Sequence, residues 1–265
     1  MLRSSVRRIG RYRLNGAVYF GQLADDGYQR LTAAPWEGGA LAREFDRFAD
    51  VEPLAPVAPG KIVCVGLNYR AHIAESASVL PGAVPALEPL LFLKPPSAVI
   101  GHGGVIRYPV GVTRLDPEAE MAVVIGRVAS RVPVALALDH VAGITAFNDV
   151  SARNYQKLDG QWTRAKGFDT FAPLGPWVAL GCDPSDQAVK CRVNGVERQH
   201  GHTRDLLFPV PELVSFISGI MTLQPGDVIA TGTPAGIGPV EIGDHIEIEV
   251  DDVGVLSNRV EAARS

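Results

Sequence analysis

The segment Asp116-Pro-Glu-Ala-Glu-Met-Ala-Val-Val-Ile-Gly126 constrains the fold of this 265-residue chain more tightly than any other stretch. In a strand, residues two apart project to the same face, so Glu118 and Glu120 stand side by side. The run that follows is apolar at both parities. Ala122 and Val124 share the glutamate face, while Met121, Val123 and Ile125 occupy the other. A strand of that kind is covered on both sides. Two neighbouring carboxylates at a buried edge repel each other unless a cation or hydrogen-bond donors compensate, and a divalent metal is the economical explanation. The spacing alone does not carry this reading. Glu247 and Glu249 are also two apart, but they share a face with His245 and alternate with isoleucine, which is the pattern of a solvated strand face.

Mg²⁺ or Mn²⁺ in such a site asks for a third oxygen donor. Asp149 ends the apolar run Gly143-Ile-Thr-Ala-Phe-Asn-Asp149 and is the natural candidate, although a helix N-cap or a turn fits it equally on the residues alone. Zinc is less favoured, because no histidine is arranged near this strand. His200 and His202 share a strand parity beside a turn and read as surface residues.

The rest of the chain divides at a proline-rich stretch. Residues 16–34 predict two short strands around Asp25-Asp26-Gly27, and Leu41, Phe45 and Phe48 predict a helix over 39–49. The stretch 51–60, with three prolines and a glycine, reads as a linker. Residues 1–58 are therefore expected to form a small N-terminal α/β domain, and 59–265 the main domain. There, strands are predicted at 62–66, 89–93, 120–126, 143–148 and 245–250, and Asn194-Gly195 marks a hairpin within 188–199. Helices are predicted at 68–77, 135–141 and 211–221. Twenty prolines and 28 glycines punctuate this body, so the fold class is mainly β with some α.

Composition excludes several functions. A hydrophobic fraction of 46% is that of a globular chain, and a net charge of −4 argues against a nucleic-acid partner. No apolar run approaches the ~18 residues of a membrane span. The arginine-rich start, MLRSSVRRIGRYR, has no apolar core of a signal peptide. Cys64, Cys182 and Cys191 form no C-x-x-C pair and read as structural thiols of a cytoplasmic protein. A glycosidase fits poorly, since its carboxylates flank a bond from opposite sides rather than sharing a strand face.

Five segments together carry a resemblance: LDPEAEMAVVIGR, GITAFNDVSARNYQ, WTRAKGFDTFAPLGPW, RVNGVERQHGHTRDLLF and GDVIATGTPAGIGPV. In this order they resemble the fumarylacetoacetate hydrolase family, as do GLNYRAHIAE and LFLKPPSAVIG upstream. The likeness runs from about Val63 to Val260. It implies a mixed β-sandwich roll, a homodimer, and a Mg²⁺ or Mn²⁺ site made by Glu118, Glu120 and Asp149, with Ca²⁺ as a non-native occupant. It also implies a small oxo-acid substrate, a 2-oxo or 2,4-dioxo acid or its enol. The expected reaction is isomerisation or decarboxylation of 2-hydroxyhepta-2,4-diene-1,7-dioate in aromatic catabolism. The alternatives are hydrolysis of an acylpyruvate of the fumarylpyruvate type, and decarboxylation or tautomerisation of oxaloacetate. Pro117, Asn154 and His202 depart from the family pattern; none removes a proposed metal ligand, and Asn154 and His202 bear on the substrate.

With that resemblance, roles attach to further residues. His72 and Glu75, three apart on a predicted helix, become a general-base dyad on a segment that resembles the family's lid; without it they read as a surface pair. Lys166 is expected to polarise an enolate oxygen or to hold a carboxylate. Arg153 suits a substrate carboxylate through its planar fork, and Gln156 shares its helical face with Asp149 if a turn forms there. Lys94 is a second carboxylate candidate. Thr233, in the loop TGTPAGIG, offers a hydroxyl among glycine amides, though a plain turn fits that loop equally. A non-enzymatic, Ca²⁺-stabilised β-rich binding module leaves His72, Lys166 and Arg153 unexplained as a set.

Overall fold

The doubly apolar strand lies where its pattern demands. In the computed structural model, which describes residues 6–76 and 87–263, it spans Ala119–Ile125 and every residue in it is buried. Its two parities enter two different cores. Met121, Val123 and Ile125 pack with Val189, Cys191, Ile246, Ile248 and the helix residues Leu213 and Ile217. Ala122 and Val124 pack with Ile62, Cys64, Phe147, Leu174 and Val228 on the opposite side.

That strand is interior to a 12-stranded mixed sheet. On one side it pairs antiparallel with Val141–Asn148, which pairs in turn with Ala172–Leu180. On the other it pairs with Val228–Ala230, followed by the parallel strand Ile62–Gly66 and the edge strand Leu90–Lys94. A second, five-stranded sheet stacks against it, ordered Val196–His202, Ala188–Val193, His245–Val250, Gly254–Ala262 and Val105–Tyr108. The architecture is mainly β and mixed, as the sequence led us to expect. The predicted hairpin is present, with Asn194 and Gly195 both at positive φ. His245–Val250 alternates half-buried and buried residues, and Glu249 on its wet face pairs with Arg192. The predicted helix 211–221 runs Val210–Ile220 and buries Val210, Leu213, Val214 and Ile217, a spacing that lays one stripe on the core.

Several elements differ from expectation. Residues 41–47 form a strand, not the helix predicted over 39–49. Leu41 and Phe45, whose spacing suggested a helix, are 56% and 43% exposed, and the inward residue is Asp46. The Gln29 side chain donates to the carbonyls of Ala42 and Glu44, and Asp46 accepts the Tyr12 hydroxyl at 2.5 Å and both Arg30 nitrogens. Edge pairing, not helical amphipathicity, fixes this segment. In the stretch read as a linker, Glu52–Leu54 pairs with Arg11–Arg13. The strand Arg7–Leu14 pairs with Ala172–Leu180, so the N-terminal strands continue the main sheet. The predicted helix 135–141 is a 3₁₀ helix, Val134–His140. The helix predicted over 68–77 runs from Arg70 to Ser76, and residue 77 lies outside the described residues.

All three cysteines are free; burial raises their thiol pKa values, to about 11 for Cys182 and about 12 for Cys191. Among the described residues no helix is long and apolar enough to cross a membrane.

Candidate active site

Three carboxylates converge where two central strands end. Ala119 pairs with Asn148, and beyond that pair the Asp149 amide donates to the Glu118 carbonyl at 2.9 Å, so Glu118 and Asp149 lie side by side. The Asn148 side chain fixes this corner by accepting the Glu118 amide at 3.0 Å. Glu118, Glu120 and Asp149 each present an oxygen within 4.8 Å of the others, and all three side chains are buried. Asp149 is not a helix cap: the following helix, Arg153–Asp159, begins after Ala152 and has no side-chain cap.

Buried cations surround two of the acids. The Lys166 ammonium donates to Glu118 at 2.7 Å and to Asp149 at 2.5 Å. Arg153 donates to Glu118 at 2.6 Å, to Asp116 at 2.9 Å and to the Gln156 side-chain oxygen at 2.9 Å. Lys94 donates to Asp149 at 2.5 Å and to the Val150 carbonyl at 3.0 Å. Burial opposes ionisation of Glu118, yet Arg153 and Lys166 together hold its carboxyl well below the usual range. Lys166 is raised despite its burial, because Asp149 and Glu118 favour the ammonium. For Lys94 burial outweighs Asp149 and lowers the pKa.

Glu120 is treated differently. Among the described residues its hydrogen bond comes from the Gly232 amide, at 2.8 Å, and no lysine or arginine forms an ion pair with it. Burial, then the charges of Asp149 and Glu118, push its carboxyl well above the usual range. A purely oxygen donor set that is short of one positive partner suits a hard dication such as Mg²⁺, Mn²⁺ or Ca²⁺. The three residues therefore fit the metal expected from the sequence.

His72 stands at the rim on the short helix Arg70–Ser76. Its Nδ1 lies 3.6 Å from Glu75 and its Nε2 lies 4.0 Å from Glu118. Burial lowers its pKa, so the imidazole is neutral at physiological pH. Glu75 also accepts the Gly236 amide at 2.9 Å and the Ile237 amide at 3.3 Å, which ties this helix to the loop after Val228–Ala230. Gly236 is required there: its φ is +106°, and a Cβ would lie 1.9 Å from the Arg198 carbonyl.

The cleft is lined by His72, Glu118, Glu120, Asp149, Arg153, Gln156, Lys166 and Thr233, faced by Val65, Gly66, Leu67, Phe92 and Trp162. Its free volume is only ≈ 20 Å³, room for one ion or water molecule. Of the ten residues expected from the sequence, eight meet at or on the rim of this cleft. Glu75 stands behind His72. Lys94 lies behind Asp149 and does not line the cleft. Thr233 donates to the Ala119 carbonyl at 2.8 Å and accepts from Gln199 at 2.8 Å, so its hydroxyl also braces the acidic strand. Asp149 belongs to the strand end, and only Arg153 and Gln156 share the helix. Sequence reasoning missed Asp116, Gln199 and the pair Phe92 and Trp162. Asp116 alone gave a signal, as a third acid in the same segment.

A family model described as fumarylacetoacetate hydrolase, C-terminal, matches residues 61–261. A mitochondrial oxaloacetate tautomerase of Arabidopsis thaliana is 44% identical over 207 residues, 76% of this chain and 91% of that protein. A 5-carboxymethyl-2-hydroxymuconate delta-isomerase from Mycobacterium smegmatis superimposes with a TM-score of 0.89 at 41% identity, covering 97% of this chain and 100% of that one. A maleylpyruvate hydrolase from Sphingobium sp. SYK-6, solved with manganese(II) and pyruvate, gives a TM-score of 0.78 at 29% identity over 97% of this chain and 100% of that one.

Proposed function

The chain belongs to the fumarylacetoacetate hydrolase family, and on that premise we propose that it is a metal-assisted isomerase that moves a proton on the enol of a 2-oxo acid. The observation that carries this reading is a neutral, buried histidine set beside three convergent carboxylates and two cations. A dication held by Glu118, Glu120 and Asp149 would supply Lewis acidity to the 2-oxo and carboxylate oxygens of the substrate. His72 accepts a proton at one ring nitrogen and returns it, because its neutral form is the one burial favours. Glu75 faces Nδ1 and orients the ring, and the amides of Gly236 and Ile237 fix Glu75 in turn. Lys166 presents an ammonium to negative charge that develops on the enolate oxygen. Arg153 and Gln156 close the same end and orient the substrate carboxylate, while Lys94 acts through Asp149.

The diene-dioate isomerase reading and the oxaloacetate tautomerase reading both belong to this chemistry, and relatives bearing isomerase and tautomerase names support it. Hydrolysis of an acylpyruvate needs the same enolate with water delivered by His72, and the maleylpyruvate hydrolase supports that second reading. We also propose a homodimer, supported by Leu90 and Leu93 standing 41% and 49% exposed on an edge strand; light scattering tests it. The activity is tested with purified protein and Mg²⁺ or Mn²⁺ on oxaloacetate, 2-hydroxyhepta-2,4-diene-1,7-dioate and acylpyruvates, following enol absorbance, pyruvate and CO₂. Loss of enol absorbance without release of pyruvate or CO₂, abolished by chelator, is the expected result. Equal turnover in excess chelator overturns the metal site.

A further inference from the structure

We propose that the far end of the same cleft is a tail site built from Gly66, Phe92 and Trp162. It selects 2-oxo acids with a flat, apolar tail over those ending in a distant second carboxylate. This rests on the reading above, in which the acidic end takes the 2-oxo acid head, and it narrows the substrate class away from a seven-carbon dioate.

Topology separates the two ends. Between the acidic strand Ala119–Ile125 and the strand Ile62–Gly66 lies one other strand, Val228–Ala230. Two strand spacings put Gly66 about 10 Å across the sheet from the acidic strand. Phe92, on the next strand, and Trp162, on the loop before Lys166, meet edge to face there, with ring centroids 5.1 Å apart and planes at 72°. Both rings are half-buried and line the cleft. Leu67, beside them, is held at a φ of +58°, a strained conformation for a branched side chain, at the point where the chain turns toward His72.

Trp162 is seated on a missing side chain. A Cβ at residue 66 would lie 2.8 Å from Cζ3 of Trp162 and 3.1 Å from Cη2. Glycine at 66 thus lets the Cζ3–Cη2 edge of the indole approach the backbone, and any larger residue pushes it away.

Charge at this end is as one-sided as shape. The Lys166 ammonium is 5.0 Å from the Phe92 ring centroid and marks the border, but its hydrogen bonds go to Glu118 and Asp149. Lys94, on the Phe92 strand, is committed to Asp149. Arg164, the basic residue nearest Trp162 in sequence, pairs with Asp159 and covers the Tyr155 ring. The sequence encodes no lysine or arginine between Arg70 and Lys94. A carboxylate set against Phe92 and Trp162 therefore loses its water without gaining a cation from the described residues. A phenyl or conjugated apolar tail gains contact with both rings, which must part to admit it, because the cleft as it stands has a free volume of only ≈ 20 Å³.

The test compares kcat/KM for benzoylpyruvate and for a 2-oxo dioate of similar length, with Mg²⁺, in wild type, Trp162→Leu and Gly66→Ala. Wild type is expected to favour the phenyl tail by at least ~10-fold, and each variant to reduce that ratio by about 10-fold, the scale of one lost apolar contact. Gly66→Ala adds one methyl and leaves every residue of the acidic end in place, so it answers the question if Trp162→Leu does not fold. A binding readout stands apart from turnover: phenylpyruvate is expected to quench tryptophan emission more than pyruvate does in wild type, and this excess quench to vanish in Trp162→Leu. Preference for the dioate, an unchanged ratio in Gly66→Ala, or equal quenching by both acids overturns the tail site. If no 2-oxo acid is turned over, the isomerase reading falls, while the quenching experiment still decides the tail site.

Discussion

Glu120→Gln separates what the protein supplies to this site from what a metal supplies. Glu118 and Asp149 have lysine or arginine partners, and Glu120 has one backbone amide. With oxygens within 4.8 Å and an effective dielectric near 20, each pair of ionised carboxylates repels by about 3.5 kcal/mol. Two such pairs meet at Glu120; the Gly232 hydrogen bond and attraction to Lys166 together offset the larger part of them, leaving on the order of 2 kcal/mol against the ionised, metal-free state. Glutamine keeps the shape and the acceptor for Gly232 and removes the charge. The metal-free variant is therefore expected to melt higher than wild type, by roughly 5 °C for a chain of this size. Wild type gains about 2.7 kcal/mol when Mn²⁺ reaches a hundred times its Kd, or roughly 5–10 °C. The variant is expected to lose that gain.

The pH dependence has a definite sign. The folded-state pKa of Glu120 is raised above its usual 4.5, so the native state binds this proton more tightly than the unfolded one. The contribution is present below the usual carboxylate range and is lost as pH rises toward the raised value. In EDTA the advantage of Glu120→Gln should therefore be absent near pH 4 and widen upward, and Mn²⁺ binding to wild type should release a proton. Differential scanning calorimetry in EDTA and across a Mn²⁺ series reads both effects. A variant that melts below wild type in EDTA, or that keeps the Mn²⁺ shift, refutes the reasoning.

Other substitutions act on different parts of the same network. Glu118→Gln is expected to abolish turnover and metal response, and also to cost about 3–5 kcal/mol, because it strips Arg153 and Lys166 of a buried partner; urea denaturation measures it. His72→Ala is expected to lower kcat by about 10²–10⁴-fold while the Mn²⁺-induced rise in melting temperature stays at the wild-type value. Because burial lowers the His72 pKa from 6.5, wild-type activity should be flat through neutral pH and fall only on the acid side of the ordinary histidine range, as a pH–rate profile will show. Asp46→Ala, far from the cleft, removes the partner of Tyr12 and Arg30 and should cost about 2–3 kcal/mol with kcat retained in the folded enzyme.

What the sequence made legible was the part governed by parity and by local chemistry. The burial of Ala119–Ile125 on both faces follows from an apolar run without alternation, and the placement of Glu118 beside Glu120 follows from the period of a strand. Asn194-Gly195 carries its own turn geometry. Residues 39–49 do not form the expected helix because Leu41 and Phe45 fall at helical spacing by coincidence on an edge strand, whose conformation is set by Gly27–Leu31 across the ladder, while Phe48 opens the 3₁₀ turn Phe48–Asp50. The same limit hid Phe92 and Trp162. They lie 70 residues apart, and only the order of the sheet brings their rings together.

The three acids of the candidate metal site were legible one by one, but their charge balance was not, and it explains why this cluster tolerates so much buried charge. Four acids, Asp116, Glu118, Glu120 and Asp149, share three buried cations, Arg153, Lys94 and Lys166, with the half-exposed Arg114 holding Asp116 from outside. Within the protein Arg153 bridges Asp116 to Glu118, and Lys166 bridges Glu118 to Asp149, so three acids are linked in one chain from which Glu120 is left out. A cation that binds Glu118 and Asp149 competes with the Lys166 ammonium for the same carboxylates, and only Glu120 is given over without competition. The protein thus holds Glu118 and Asp149 in place by ion pairs that a dication would weaken, and it leaves Glu120 as the carboxylate that such a dication would help to ionise. Lys166 hydrogen-bonds Glu118 and Asp149 while standing 5.0 Å from the Phe92 ring centroid, so its charge is spent on the acidic end and not on the aromatic side of the cleft.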